Sequence, residues 1–247
     1  MTRHKFDVAH GPRHGVARVL SKRGLCSRRQ AAEWVRAGRV RVNGQVVSDP
    51  EHPVYGEIDR IEVDGAEAKV DERIYLMLNK PRGVITTASD EQGRDTVYRC
   101  FDDADLPWVA PVGRLDRASE GLLLFSNDPE WAARITGPSR IAKVYHVQID
   151  CIPDVQQLTR LQEGVEDQDE LLKAKSVQLL RQGTRNAWLE IVLEAGRNRQ
   201  IRRMLATLDI NVLRLIRIAI GPLPLCDLGK GEWRYLIEDE IEALSER

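Results

Sequence analysis

The sequence predicts an α+β fold, in which a small N-terminal α/β module precedes a larger domain with a mainly antiparallel, mixed sheet flanked by helices. Three observations lead to this prediction. The length of 247 residues suits one or two domains. Strand-like and helix-like patterns are interspersed without the regular alternation of a parallel sheet. The sequence also lacks the G-x-G-x-x-G motif of dinucleotide-binding folds.

Charge is distributed unevenly along the chain. Residues 1–50 carry a formal charge of +8, whereas the remaining residues carry −9. A basic block on an acidic chain indicates a segment that binds phosphates. A disordered basic tail is the alternative, and the hydrophobic pattern decides between the two.

The basic block has the pattern of a folded module. Ser27 is a suitable N-cap for a helix over about residues 28–37, which ends at Gly38. Asn43-Gly44 lies between alternating residues and predicts a tight hairpin. The helix has an apolar face formed by Ala31, Trp34 and Val35. Its neighbouring face is cationic and is formed by Arg28, Arg29 and Arg36. We therefore expect a folded module over residues 15–70, preceded by a mobile arm over residues 1–14.

The larger domain, over residues 73–247, is expected to open with two strands joined by a turn. Its predicted strands are IYLMLNK, VITTAS, LLLFS, KVYHVQI, SVQLL, AWLEIVL and NVLRLIRIAIG. Helices are expected from Pro129 to about Thr136, over PDVQQLTRLQEG and over residues 198–208. These elements account for the predicted α+β class.

Three charged segments with turn signals are candidate sites: LNKPRGV, GRLDRASEGLLLFSND and GRNRQIRRM. Asp116 lies between Arg114 and Arg117, directly before an apolar strand, where it could act in catalysis, cap a helix or anchor an ion pair. On a helix from Asn198, Arg202 borders the apolar stripe and should be partly buried. A partly buried arginine needs a carboxylate partner, for which Asp116 is the candidate. The remaining polar residues of this helix, Arg199, Gln200 and Arg203, should point further outward.

The segment ARVLSKRGLCSRRQAAEWVRAGRVRVNGQVV resembles the small RNA-binding domain first known from ribosomal protein S-four, over about 50 residues. The SRR helix start, the AG helix end and the VNG turn stand in the order typical of that family. The resemblance implies that basic side chains contact structured RNA, here Lys22, Arg23, Arg28, Arg29, Arg36 and Arg39. An ordinary solvated cationic face is the alternative.

Residues 73–247 are similar to the ribosomal RNA pseudouridine synthases of the RsuA-like branch. The similarity rests on GRLDRASEGLLLFSND, with KPRG before it, and on KVYHV, GRNRQIRRM and LRLIRIAIG after it. It implies that a uridine in ribosomal RNA leaves its stack, that its glycosidic bond is cleaved, and that the rotated uracil is rejoined through C5. The RASEGLLLFSND and GRNRQIRRM strings favour the members that act on the large subunit. The particular uridine is left open.

The same resemblance implies roles for individual residues. Asp116 is the essential carboxylate, Tyr145 lies against the uracil as a candidate for the proton step at C5, and Arg202 is the basic partner of Asp116. Tyr145 could instead be a core aromatic. Asp116 could attack the anomeric carbon, attack the pyrimidine ring or abstract a ribose proton. The chain departs from the family pattern at Ala195, where Glu is usual, and at Asp209, where Gly is common.

Substrate contacts are expected from a further set of basic residues. Arg114 corresponds to the arginine that helps to hold the target nucleotide out of its stack. Lys80 has either a structural role or contacts a phosphate. The complete expected set is Arg114, Lys80, Arg199 and Arg203.

The isomerisation requires no cofactor and no metal, and none is expected. Reduced cysteines and the absence of a signal or membrane segment predict a cytoplasmic protein. The expected partner is ribosomal RNA or an assembling ribosomal subunit, approached as a monomer. One alternative is a catalytically silent RNA-binding or ribosome-assembly protein. Another is a nucleoside or glycoside hydrolase that pairs Asp116 with Glu120 or Asp128.

Overall fold

A computed structural model describes residues 12–69, 72–88, 90–137, 141–194 and 196–245. These residues divide into two compact units. The first unit contains the described residues up to Arg73, together with Leu106–Ala110 and Asn127–Pro129. The second contains Ile74–Asp105, Pro111–Ser126 and the described residues from Glu130 onward. Most of the expected N-terminal arm, and also Ala195, lie outside the described residues.

The first unit combines two helices with short antiparallel strands. In chain order its elements are β1 (His14–Gly15), α1 (Val16–Lys22), α2 (Arg28–Arg36), β2 (Val40–Val42), β3 (Gln45–Val46), β4 (Pro53–Val54), β5 (Ile61–Val63) and β6 (Ala66–Glu67). Strands β3-β2-β5-β6 form one sheet, and β1 pairs with β4. His14, which the sequence assigned to the N-terminal arm, pairs with Val54 of this unit.

Local sequence explains the helix and the hairpin of this unit. The backbone N–H of Gln30 donates to the side chain of Ser27, so α2 begins where the N-cap was predicted. Ala31 and Val35 are buried in the core of the unit, as their helical spacing requires. Asn43 and Gly44 both adopt positive φ, 51° and 83°, which is the geometry of a type I′ turn.

The rest of the chain forms the larger sheet and the helices around it. In chain order its elements are β7 (Tyr75–Lys80), a 3-10 helix (Val97–Phe101), β8 (Ala110–Val112), β9 (Glu120–Ser126), α3 (Pro129–Thr136), β10 (Lys143–Ile149), α4 (Val155–Glu163), β11 (Val165–Asp167), β12 (Glu170–Leu172), β13 (Ser176–Gln182), β14 (Ala187–Leu193), α5 (Gln200–Ala206), β15 (Val212–Ile220), β16 (Leu223–Pro224), β17 (Trp233–Tyr235) and α6 (Glu238–Ser245).

The large sheet is mixed but mainly antiparallel. Its strand order is β13-β14-β10-β15-β9-β7-β17, with β16 paired to β15 and β8 to β9. Strands β9 and β15 pair in parallel, whereas β7, β10, β13 and β14 pair with antiparallel neighbours. Every residue of β9 is buried, and Trp131 of α3 packs with Met77 and Leu124 in the apolar core. The predicted α+β class is confirmed.

Two predictions about the elements are wrong. The described residues of the segment VITTAS do not form a strand beside β7, and Ile85 makes an isolated bridge with Thr96. The reason is that both edges of β7 are already paired, with β9 and with β17. The helix expected over residues 198–208 is shorter, because Arg199 adopts a left-handed conformation and α5 begins at Gln200. Strands β11, β12 and β17 and helix α6 were not predicted.

Candidate active site

Asp116 lies in the loop between β8 and β9, and backbone contacts on both sides of it fix its position. Thr86 Oγ1 donates a 2.8 Å hydrogen bond to the carbonyl of Leu115. The backbone N–H of Gly83 donates to the carbonyl of Arg117 at 2.8 Å, and Arg117 Nε donates back to the carbonyl of Gly83 at 3.0 Å. The segment after β7 therefore holds the residues that flank Asp116.

Lys80 supports the same loop from inside the protein. It is fully buried, and its Nζ donates to the carbonyls of Ser119 at 2.9 Å and Pro81 at 3.0 Å. Ser119 in turn donates its backbone N–H to the carbonyl of Asp116 at 2.9 Å. Burial lowers the pKa of Lys80 from 10.5 to about 8. The expected phosphate contact is therefore wrong, since this ammonium is sealed from solvent; the structural alternative accounts for its position.

The carboxylate of Asp116 is half exposed and pairs with Arg199. Its Oδ2 lies 3.3 Å from Nη1 of Arg199, and the two side chains are 39% and 51% exposed. Arg199 precedes α5 with φ 48° and ψ 29°, a conformation that is uncommon for residues other than glycine. The prediction that Asp116 forms an ion pair with Arg202 is therefore wrong. Asp116 pairs with Arg199 instead, because the left-handed backbone of Arg199 brings its guanidinium to the carboxylate.

Arg202 nevertheless lies close to the same carboxylate. It is half-buried, as predicted, and its Nη atoms make long hydrogen bonds of 3.4 Å to the carbonyls of Val212 and Ala118. Burial lowers its pKa, the nearby Arg199 lowers it further, and Asp116 acts in the opposite direction. The buried Nε of Arg202 has no hydrogen-bond partner among the described residues. Asp116 therefore lies in the field of two guanidinium groups.

A cavity of about 540 Å³ brings these groups together within the second unit. This volume is in the range of small-molecule sites. Tyr145 on β10 is 8% exposed and forms part of the wall. Six cations and two carboxylates are among its described lining residues: Arg114, Lys143, Arg197, Arg199, Arg202 and Arg217, and Asp116 and Glu194. The excess of positive charge suits an anionic substrate.

The expected substrate residues differ in whether they line the cavity. Arg114 is exposed and Arg199 half exposed, and both line the cavity. Arg203 does not, because it pairs with Asp167 and Glu170 and so joins α5 to β11 and β12. Its expected substrate contact is therefore wrong.

Gln200 also differs from the expectation. It is buried rather than directed outward, and its Nε2 donates to the carbonyl of Lys173 at 3.0 Å. The cause is again the later start of α5, which changes the rotation of its first turn.

Sequence reasoning missed three of the cations that line the cavity, Lys143, Arg197 and Arg217. Arg217 had a usable signal, since it is a charged residue within the apolar strand sequence VLRLIRIAI. The positions of Lys143 and Arg197 depend on tertiary structure, so the local sequence contains no signal that would identify them.

The basic side chains of the first unit differ in their availability. Arg23 donates to the carbonyls of Ala68 and Gly56, and burial lowers its pKa. Its expected RNA contact is therefore wrong, because this guanidinium is used within the unit. Lys22 and Arg36 are exposed. The other expected contacts form exposed ion pairs: Arg28 with Glu51, Arg29 with Glu33 and Arg39 with Asp64.

Two further features are absent from the described residues. In this part of the chain, no group of three or more His, Cys, Asp or Glu is placed to hold a metal ion. Within the same ranges, no helix combines the length and the apolar character that crossing a membrane requires.

The mixed sheet, the basic cavity around one half-exposed carboxylate and the separate basic module together define an enzyme that modifies nucleic acid. A family model described as RNA pseudouridylate synthase matches residues 74–207, and an S4 domain model matches residues 16–57. The chain belongs to the RNA pseudouridylate synthase family. The resemblance predicted from the sequence is confirmed.

Known proteins are similar along almost the whole chain. An uncharacterized RNA pseudouridine synthase of Aquifex aeolicus is 38% identical, with 93% of this chain and 92% of that protein covered. The ribosomal large subunit pseudouridine synthase B of Bacillus subtilis is 36% identical, with 93% and 94% covered. A crystal structure of a pseudouridylate synthase matches with a TM-score of 0.65 and 30% identity, over 94% of this chain and 99% of that one.

Proposed function

We propose that this enzyme isomerises a specific uridine in large-subunit ribosomal RNA to pseudouridine. The observation that carries the proposal is the cavity that holds Asp116 against Arg199, beside Arg202 and Tyr145, in a wall where cations outnumber carboxylates. The similarity to the large-subunit enzyme of Bacillus subtilis, which extends over both units, supports the choice of substrate.

The reaction exchanges one bond to the ribose for another. The bond between N1 of uracil and C1′ breaks, the bond between C5 and C1′ forms, C5 loses a proton and N1 gains one. Asp116 is the carboxylate on which the cleavage depends, and Tyr145 is the candidate for the proton step at C5. Arg202 lies beside this carboxylate, where the nearby negative charge of Asp116 acts on its guanidinium. The reaction requires no oxidant, no reductant and no group donor.

The target base must leave its stack before it can reach Asp116, which costs a few kcal/mol. Arg114 is exposed and lines the cavity, where it would hold the nucleotide in the extruded position. Arg199 also lines the cavity and pairs with the carboxylate of Asp116. We assign these two residues to substrate binding.

The organisation of the chain fits this proposal. We assign residues 15–70 to RNA binding and residues 73–247 to catalysis. The enzyme would act as a monomer in the cytoplasm on ribosomal RNA or on an assembling subunit. The basic block supports this assignment, since RNA affinity comes mainly from contacts with phosphates.

The alternatives gain no support. A catalytically silent RNA-binding protein would not need Asp116, Tyr145 and Arg202 in one cavity. A hydrolase with paired carboxylates would need a free second acid. Glu120 is buried in ion pairs with Arg214 and Lys230 instead.

The test is release of tritium from C5 of labelled uridine in unmodified ribosomal RNA. Wild type should release tritium without forming free uracil, and mapping the modified position then identifies the uridine. Asp116→Asn should abolish release but keep most of the RNA affinity, because phosphate contacts dominate binding. Asp169→Asn is the matched control, since it neutralises an exposed carboxylate in the turn between β11 and β12.

Each contrary outcome has a distinct meaning. A loss of RNA binding as large as the loss of turnover in Asp116→Asn would contradict the catalytic assignment. Free uracil in the wild-type reaction would indicate a hydrolase. Absence of tritium release from both naked RNA and assembling subunits would favour the silent RNA-binding protein.

A further inference from the structure

Arg217 lines the cavity, and one of its buried N–H groups has no hydrogen-bond partner among the described residues. The residue lies on β15 and is 5% exposed. Its Nε donates a 2.7 Å hydrogen bond to the carbonyl of Leu122, which fixes the plane of the guanidinium. Its Nη2 is buried and has no hydrogen-bond partner among the described residues. Because buried charged donors are almost always bonded, this N–H indicates a partner beyond the described residues.

The neighbours of Arg217 place this donor at the reacting base. Arg217 pairs directly with Tyr145 across β10 and β15, and both side chains line the cavity. Residues opposed in this way lie on the same face of a sheet, with Cβ atoms about 5 Å apart. Lys143 lies on the same face of β10, and its pKa is lowered by burial and then by the charge of Arg217. The base that lies against Tyr145 would therefore also reach Arg217.

No carboxylate among the described lining residues is free to neutralise this end. The two described carboxylates of the lining are already paired, Asp116 with Arg199 and Glu194 with Lys175. The acceptor that Arg217 requires must then come with the substrate.

Because Arg217 is deeply buried, its position indicates which part of the substrate supplies the hydrogen-bond acceptor. Tyr145 and Arg217 are almost fully buried, whereas Asp116 and Arg199 are 39% and 51% exposed. An extruded nucleotide remains joined to the RNA through its phosphates, so its phosphates stay near the opening and its base reaches the buried wall. The acceptor at Arg217 is then part of the base.

We propose that Arg217 donates its free Nη2–H to a carbonyl oxygen of the flipped uracil and so holds the ring against Tyr145. The inference rests on the proposed isomerisation and adds a specific contact to it. A hydrogen bond from a charged donor is stronger than one between neutral groups, so this single contact can orient the ring. The side chain is a binding residue that acts on the base itself.

The experiment is a double-mutant cycle between Arg217 and the two carbonyl oxygens of uracil. Ribosomal RNA fragments carry uridine, 2-thiouridine or 4-thiouridine at the mapped target, since sulfur is a weaker acceptor than oxygen. Single-turnover rates of pseudouridine formation are measured for wild type and Arg217→Met. Arg217→Gln is a second variant that retains a donor for the carbonyl of Leu122, and thermal unfolding verifies that each variant folds. Arg181→Met removes an exposed cation from β13 and is the matched control.

For wild type and for the Arg181 control, one of the two sulfur substitutions should slow the reaction about tenfold. The Arg217 variants should be slow with uridine and show no further loss with that analogue. Absence of a sulfur effect in wild type, or an effect of the same size in folded Arg217 variants, would overturn the inference alone. Absence of isomerisation by wild type would overturn the proposed function as well.

Discussion

Lys80 shows how a single buried cation can organise the loop that carries Asp116. The ammonium donates to the carbonyls of Pro81 and Ser119, and the backbone of Ser119 donates to Asp116. Carbonyl oxygens solvate the ammonium only in part, so burial lowers the pKa of Lys80 to about 8. The protein therefore binds this proton less tightly when it is folded than when it is unfolded.

This difference predicts a pH dependence of stability. Between pH of about 8 and 10.5, the unfolded chain keeps the proton of Lys80 while the folded protein loses it. Stability rises with pH wherever the unfolded state binds more protons. The free energy of unfolding of wild type should therefore increase relative to that of Lys80→Met over this range. Urea unfolding at several pH values between about 7.5 and 10.5 measures the difference.

The comparison with Lys80→Met removes titrations that both proteins share. Tyr98 and Cys26 have pKa values raised by burial to about 12, and these groups act on stability in the opposite direction above their ordinary pKa values. Lys80→Arg provides a second comparison, because an arginine keeps its proton throughout this range. A constant difference between wild type and Lys80→Met across the range would contradict the assignment.

At the scale of elements, the close approach of β9 and β15 depends on Gly121. This residue has φ 101° and pairs with Arg217, at the point where the two strands run in parallel. An added Cβ would lie 2.2 Å from the carbonyl oxygen and 2.8 Å from the backbone nitrogen of Arg217, closer than van der Waals contact allows. Gly121 therefore sets the distance between the strand that follows the Asp116 loop and the strand that carries Arg217.

Gly121→Ala should destabilise the protein by at least about 3 kcal/mol, because both the positive φ and the clash oppose it. Gly83→Ala is a matched control, since Gly83 has φ 100° and nothing lies within 4 Å of an added Cβ. It should cost only about 1–2 kcal/mol for the backbone conformation. Thermal and urea unfolding measure both values. Equal losses would show that the contact with Arg217 is not the cause.

Local patterns predicted most of the elements but not the contacts between them. The N-cap Ser27, the Asn43-Gly44 turn and the strand β10 follow from neighbouring residues, and all three are present. The segment VITTAS has the pattern of a strand but no free edge to pair with, since the distant β17 occupies one edge of β7. Pairing between residues that are far apart in the chain cannot be read from a local pattern.

The candidate site was predictable to a similar degree. Periodicity placed Arg202 at the border of the buried face of α5, as the structure has it. It did not predict that Arg199 would contact Asp116, because this contact depends on one left-handed residue. The burial of Lys80 depends on the carbonyl of Ser119, which follows in a loop far along the chain.

At the scale of the whole molecule, the two parts of the chain carry opposite net charges. Residues 1–50 carry +8, whereas the rest of the chain carries −9, although six of its described cations line the cavity. On α2, Arg28 and Arg29 are exposed and pair only with Glu51 and Glu33. Exposed ion pairs of this kind contribute about 0–1 kcal/mol, so both arginines can exchange these partners for phosphates.

Replacement of Arg28 and Arg29 together by alanine should weaken RNA binding and reduce its dependence on salt. Each phosphate contact releases a counterion, so the loss of two contacts should reduce the slope of log K against log salt by about 1.4–1.8. Stability should change little, because neither side chain is buried. Binding of an unmodified large-subunit RNA fragment across a salt series measures the slope.

Net charge alone would predict the same loss from any two exposed arginines. Arg181→Ala with Arg185→Ala removes an equal charge from exposed positions on β13 and in the turn that follows it. If α2 contacts the RNA directly, this control should leave the slope near that of wild type, since charges that make no contact with the RNA are screened within about 10 Å at 0.1 M salt. An unchanged slope in the Arg28 and Arg29 variant would show instead that α2 does not bind the RNA, and equal reductions in both variants would show that only the overall charge matters.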